Sequence, residues 1–268
     1  MATRAKPKTE ESIVIEPLRS ASIEAFIVGE RLICNRMSEK ARRQILLPSG
    51  RKTTTERAST LKHDPPAEFR DSPYRMPDGE TLLACAGGAF KSALVTAAGR
   101  TPGATKASIE QLVSIPADYV RVWGVPELLM SVTRSADIAH TPDIRSRAIL
   151  RQWAARVTIQ FVTPLRPTAI LTLLANAGIV SGIGDWRQEK GAGSYGSFVV
   201  VSGPKDENFQ RIVKTGGRKA QEAAMQDPRP YDMESADMLA WFHTESKRRG
   251  FTDTPKGAPV NEPEEVTA

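Results

Sequence analysis

The chain is poor in the residues by which most metal proteins and many enzymes are recognised. Its 268 residues hold two cysteines and three histidines. Cys34 and Cys85 each lie beside apolar residues at no ligand spacing, which reads as two reduced, buried thiols. His63, His140 and His243 are scattered, with no second ligand residue at a metal-binding distance along the chain. Neither a metal nor any other cofactor is therefore expected. No stretch approaches the ~18 apolar residues of a membrane span. The basic start Met1–Lys8 is not followed by an apolar signal core, so the expected location is cytoplasmic. A hydrophobic content of 40% and a mean hydropathy of −0.33 imply a folded centre with polar ends. Residues 1–11 and an acidic stretch at 251–268, with Pro255, Pro259 and Pro263, read as disordered tails.

Nucleotide-binding and catalytic patterns are also missing. Gly191-Ala192-Gly193-Ser194-Tyr195-Gly196 has the G-x-G-x-x-G form, but a dinucleotide site needs a helix after it, and a strand pattern follows here. Gly87–Ser92 offers Lys91-Ser92 at a helix start, but Phe90 replaces the glycine that a phosphate loop requires. Asp185 and Glu189 form the one carboxylate pair of interest, and on a solvated loop they serve more simply as counter-charges to Arg187 and Lys190. The expectation is a protein without enzymatic activity.

What the chain does have is unevenly placed positive charge. Its formal net charge is +6, and the window Arg31–Arg75 alone carries eleven Lys/Arg against five acidic residues. Such clustering suits a partner with repeating negative charge, nucleic acid first. A solvated, mobile loop is the competing reading of that window. The second unusual stretch is 182–196, with five glycines interleaved with Trp186, Arg187, Lys190 and Tyr195. Glycines let backbone N–H groups approach a ligand, and the aromatic and cationic side chains are those that stack on bases and neutralise phosphates. The alternative is a helix-to-strand connection whose glycines serve turns and whose Trp186 packs on the sheet.

Hydrophobic periodicity predicts a strand at 23–28 ended by Gly29, preceded by a β-like Ile13-Val14-Ile15. Ser38 caps a short basic helix at 38–47. Residues 51–79, with Pro65-Pro66, Ser72-Pro73 and Pro77-Asp78-Gly79, read as a long loop. A helix follows at 88–98, then another turn or two at 108–114, strands at 119–124 and 128–133, and the cleanly alternating strand 155–162. Pro167 starts a helix that Gly178 ends, and 197–202 is a strand. Two peripheral helical segments, 205–225 and 235–248, complete the pattern, the latter amphipathic through Met238, Leu239, Trp241 and Phe242. Stripped of insertions this is the β-α-β-β-α-β order of an α+β, ferredoxin-like core, with one strand to spare. The expected organisation is a core at 12–203 with a basic insertion at about 31–80, then peripheral helices at 204–250.

A helix, then glycines at Gly182, Gly184, Gly191 and Gly193 around Arg187, then a strand entered by Phe198, resembles the glycine-rich loop of the RAMP superfamily, the RNA-binding ferredoxin-like proteins of CRISPR systems. The spacing from Arg187 to Gly191 is one residue longer than the usual form. The wider layout also resembles uncharacterised proteins of tailed bacteriophages and prophages. The resemblance implies an RRM-like nucleic-acid binder, with homo-oligomerisation along a strand compatible with it. The candidate binding residues are Arg42, Arg43, Arg51, Lys52, Gly182, Gly184, Trp186, Arg187, Lys190, Gly191, Gly193 and Tyr195. The expected function is sequence-tolerant binding of single-stranded RNA or DNA. A structural or assembly role in a phage particle, acting through protein contacts, is the alternative.

Overall fold

The computed structural model describes residues 17–47, 50, 53–55, 61–134, 142–190 and 193–251. Arg51, Lys52, Gly191, the strand expected at Ile13–Ile15 and both expected tails, apart from Phe251, lie outside them.

The protein is α+β: among the described residues, eight helices accompany one eight-stranded sheet whose paired strands are all antiparallel. Its centre is the pair β1 (Ser20–Ile33) and β7 (Pro142–Val162), in register from Ser20 opposite Val162 to Ile33 opposite Ile149. β7 alternates as expected over its second half, with Val157, Ile159 and Phe161 buried and Arg156, Thr158 and Gln160 exposed. Short β8 (Phe198–Val200) pairs with β1, and β5 (Tyr119–Trp123) pairs with the second half of β7. The central order is thus β8-β1-β7-β5, extended at the β5 edge by β3 (Leu83–Ala86) and β2 (Tyr74–Arg75). β4 (Val113–Ser114) and β6 (Pro126–Arg134) pair with the two ends of β7.

Of the helices, α1 (Glu39–Leu46) and α2 (Pro65–Asp71) follow β1, while α3 (Gly87–Ala98) and α4 (Lys106–Leu112) follow β3. α5 (Pro167–Val180) joins β7 to the segment before β8. α3 and α5 cover one face of the sheet through Phe90, Leu94, Ala97, Ile170, Leu174 and Ala177. These side chains meet Ile27, Trp153, Val157 and Ile159, and each fully buried large apolar side chain contributes roughly 1.5–3 kcal/mol. On the opposite face, α6 (Glu207–Thr215) sets Phe209 and Ile212 against Trp123 and Ala154. α7 (Arg218–Gln226) is stitched to the sheet by fully buried Gln221, which accepts from the Leu82 and Leu83 amides and donates to the Val122, Gly124 and Gly216 carbonyls. α8 (Met233–Arg248) packs along β6, where buried Ser235 accepts from the Met130 amide.

Several sequence expectations need correction. Gly29 does not end the first strand, which runs to Ile33 and into the window read as insertion. Gly29 is there because Trp153 crosses it: a Cβ would lie 2.4 Å from the indole. Gly178 likewise does not end α5, which continues to Val180; a Cβ there would lie 1.9 Å from the Phe198 carbonyl oxygen. The expected loop at 51–79 contains α2 and β2. Asp64 caps α2 by accepting from the Ala67 amide, and Pro65-Pro66, read as a breaker, occupies the first turn where no N–H is needed. The strand expected at 155–162 begins at Pro142.

Candidate nucleic-acid interface

The glycine-rich loop is folded back on itself. Ile183 is buried, and its amide donates to the Gly196 carbonyl at 3.0 Å. The Tyr195 amide donates to the Trp186 carbonyl at 3.2 Å, zipping the two arms. The loop is also tied to the end of β1: Asp185 N donates to the Ile33 carbonyl and Gly196 N to the Arg31 carbonyl, both at 3.0 Å. Gly184 (φ +84°) and Gly196 (φ +71°) have left-handed backbones, and a Cβ at Gly196 would lie 1.8 Å from the Ile183 oxygen. Gly182, also left-handed, and Gly193 are pressed in the same way against backbone of the opposite arm. These glycines therefore permit the chain to approach itself.

The loop's side chains are engaged too. Half-buried Trp186 and Tyr195 sit 6.1 Å apart, packed with Tyr231 against buried Ile33, Leu129 and Ile149. Arg31 lies 5.1 Å above the Tyr195 ring. Arg187 donates to Glu189 at 2.9 Å and to the Gly184 carbonyl at 3.1 Å. Lys190 ends a short 3-10 turn, Gln188–Lys190.

The basic window is arranged differently. Ser38 caps α1 by accepting from the Ala41 amide, and no residue of α1 is buried. Arg42 and Arg43 are exposed, Arg43 pairing with Glu39 one turn earlier. Lys40 Nζ donates to the Leu61 and Lys62 carbonyls, at 2.8 and 2.6 Å, holding that later part of the window against α1. Between α1, the start of α2 and the first half of β7 lies a cleft of about 530 Å³. Its cations are Arg36, Lys40, Lys62, Arg145 and Arg147, and its carboxylates are Glu68, Asp143 and Asp185. Asp185 is the loop's contribution: it pairs with the almost fully buried Arg147. The basic window and the glycine loop thus meet at one cleft, but the loop supplies an acid to it.

Inside the cleft, His63 is held between carboxylates, Nδ1 2.9 Å from Glu68 and Nε2 3.0 Å from Asp143. Lys62 donates to the same Asp143 oxygen at 2.7 Å. Desolvation works to raise the Asp143 pKa, but the Lys62 hydrogen bond and the charge and hydrogen bond of His63 prevail and hold it below its ordinary value. Burial pulls the Arg147 guanidinium below its usual range, opposed by Asp185 and aided by Arg145. Arg145 is exposed and pairs with no carboxylate among the described residues. Sequence reasoning passed over Arg145, Arg147 and His63. The usable signal was Arg145-Ser146-Arg147, whose spacing of two places both guanidiniums on one side of a strand.

A second, apolar groove of about 220 Å³ adjoins the cleft, with Lys62, His63 and Ile144 lining both. Trp241 of α8 lines this groove and is 65% exposed. Both cysteines are free thiols: burial raises Cys34 well above its ordinary value and pushes Cys85, partly covered as a residue, up to about 12. Among the described residues no group of three His, Cys, Asp or Glu side chains could hold a metal ion, and no helix is long and apolar enough to cross a membrane.

No family model matches the chain, and no curated protein matches it. Among solved structures it is similar to a chain of the cryo-EM structure of the Type III-B Cmr-beta bound to cognate target RNA, with a TM-score of 0.32 and 12% identity over 69% of this chain. The match spans 60% of that chain's length. At that TM-score the likeness decides neither fold nor function.

Proposed function

We propose that this protein binds single-stranded nucleic acid without sequence preference and without cleaving it, the backbone lying in the cleft between α1, α2 and β7. The observation that carries the reading is that cleft, where five cations from sequence-distant segments face one space against three carboxylates. Two of those carboxylates, Asp143 and Asp185, are already neutralised by Lys62 and Arg147. Phosphates would bind this field at exposed Arg145, with Arg42, exposed on α1 outside the cleft lining, as a further basic contact. A cleft of this volume suits a short piece of one strand. The strand order β8-β1-β7-β5, with crossovers through α3 and α5, supports a ferredoxin-like reading of the core.

The test is fluorescence anisotropy with labelled oligo-thymidylate and oligo-uridylate over a range of salt. Log affinity should fall linearly with log salt, and the double variant Lys62→Gln/Arg145→Gln should lose about tenfold in affinity, with a salt slope smaller by about one per phosphate contact removed. Unchanged affinity and slope in that variant defeat the proposal, and strand shortening on a gel defeats its non-catalytic part. A second reading, an assembly protein acting through protein contacts, is favoured by one feature: Ile45, Leu46 and Leu47, at the end of α1, are 68%, 86% and 80% exposed. Homogeneous particles forming without nucleic acid, and lost in Leu46→Ser, would support it.

A further inference from the structure

We infer that Trp241 is a stacking platform for one unpaired nucleobase, an inference that rests on the nucleic-acid reading above and adds to it the residue that would hold a base. α8 packs Met238 and Leu239 against the core, yet Trp241, on the same helix, leaves 65% of its surface in solvent. No aromatic ring among the described residues contacts it. It faces a groove walled by Met130, Ile144, Met238 and Phe242. At about 220 Å³ this groove is below the ~300–1,000 Å³ of pockets for drug-sized ligands, and it suits one planar ring.

Position and charge select the occupant. The groove shares Lys62, His63 and Ile144 with the cationic cleft, so a base turned out from a backbone in the cleft has the groove beside it. Glu245 also lines the groove; hydrogen bonds from Arg248 and Arg249 hold its carboxyl at about 2 and so keep it ionised, but with two guanidiniums on one carboxylate the trio is net positive. An apolar groove whose lining includes Lys62 and Arg249 matches a base flanked by phosphates. Trp186 and Tyr195, by contrast, already have their rings in a satellite core.

The full chain is titrated with oligo-thymidylate and with an abasic oligonucleotide of equal length, following anisotropy and tryptophan fluorescence. Trp241→Ala should lose about tenfold in affinity for oligo-thymidylate, the order of one stacked base, with an unchanged salt slope. Trp241→Phe should recover most of that loss, and the abasic strand should bind wild type and Trp241→Ala equally. Equal affinity of Trp241→Ala and wild type for oligo-thymidylate overturns the inference, as does an equal loss on the abasic strand. If both strands bind wild type but Trp241→Ala changes only its sedimentation, the groove is a protein contact and this inference alone fails. If neither strand binds wild type, the nucleic-acid reading fails with it.

Discussion

The glycine-rich loop and the α1–β7 cleft both carry cations and carboxylates and use them oppositely. In the loop, glycines, aromatics and a guanidinium are turned on the protein itself: Gly196 admits the Ile183 carbonyl, Tyr195 and Trp186 close over Ile33, and Arg187 is held by Glu189 and Gly184. In the cleft, cations from three segments face a common space, and Arg145 has no ion-pair partner among the described residues. Composition marks a segment as special, whereas the direction in which its groups point decides whether it serves the fold or a ligand. The loop's conspicuous residues build the wall that holds Asp185 against Arg147.

That contrast can be broken at its strongest point by Gly196→Val. The new side chain would meet the Ile183 oxygen and sit at a φ that β-branched residues avoid, so a loss of about 3 kcal/mol or more is expected in urea unfolding. A variant as stable as wild type would show that the loop is slack and available to a ligand. Next in size comes Arg187→Met, which should cost roughly 1 kcal/mol of stability while leaving oligonucleotide affinity within about twofold. A tenfold loss in anisotropy would instead put the loop on the strand's path. The smallest effect concerns the cleft's own acid. Because Asp143 is held below 3.8, its contribution is fully present above that unfolded-state value and is lost as pH falls through the lower folded one. Asp143→Asn should therefore show a shallower decline of stability as pH falls from about 5 to below 3.8 in urea titrations. An identical decline would mean that Lys62 and His63 do not discriminate the ionised carboxylate.

The elements whose local chemistry and tertiary role agree were legible in the sequence. The alternation of 155–162, Ser38 before α1 and Pro167 at the start of α5 each have one physical meaning. Gly29 and Gly178 have two, since glycine both ends an element and lets another chain approach, and only the position of Trp153 and Phe198 decides between them. The part of β7 before 155 escaped notice because Ala148–Leu150 and Trp153–Ala155 are buried in runs that hide the period of two. The cleft escaped with it, for Arg145 and Arg147 join Lys40 and Lys62 only through strand pairing. Trp241 fell within an amphipathic pattern that counted it as inward-facing, and helical spacing alone does not say where a neighbouring element stops.

β7 carries this arrangement from one end to the other. Its first half places Arg145 and Arg147 at the cleft and its second half places Trp153 and Val157 in the core, on one continuous strand. A slip of one residue against β1 would turn both halves over together. A slip of the whole strand would displace Arg145 and Arg147 and expel the indole of Trp153 together, so hydrophobic packing helps to fix the position of these two charges. A chain in the wrong register would lose its core together with its cleft.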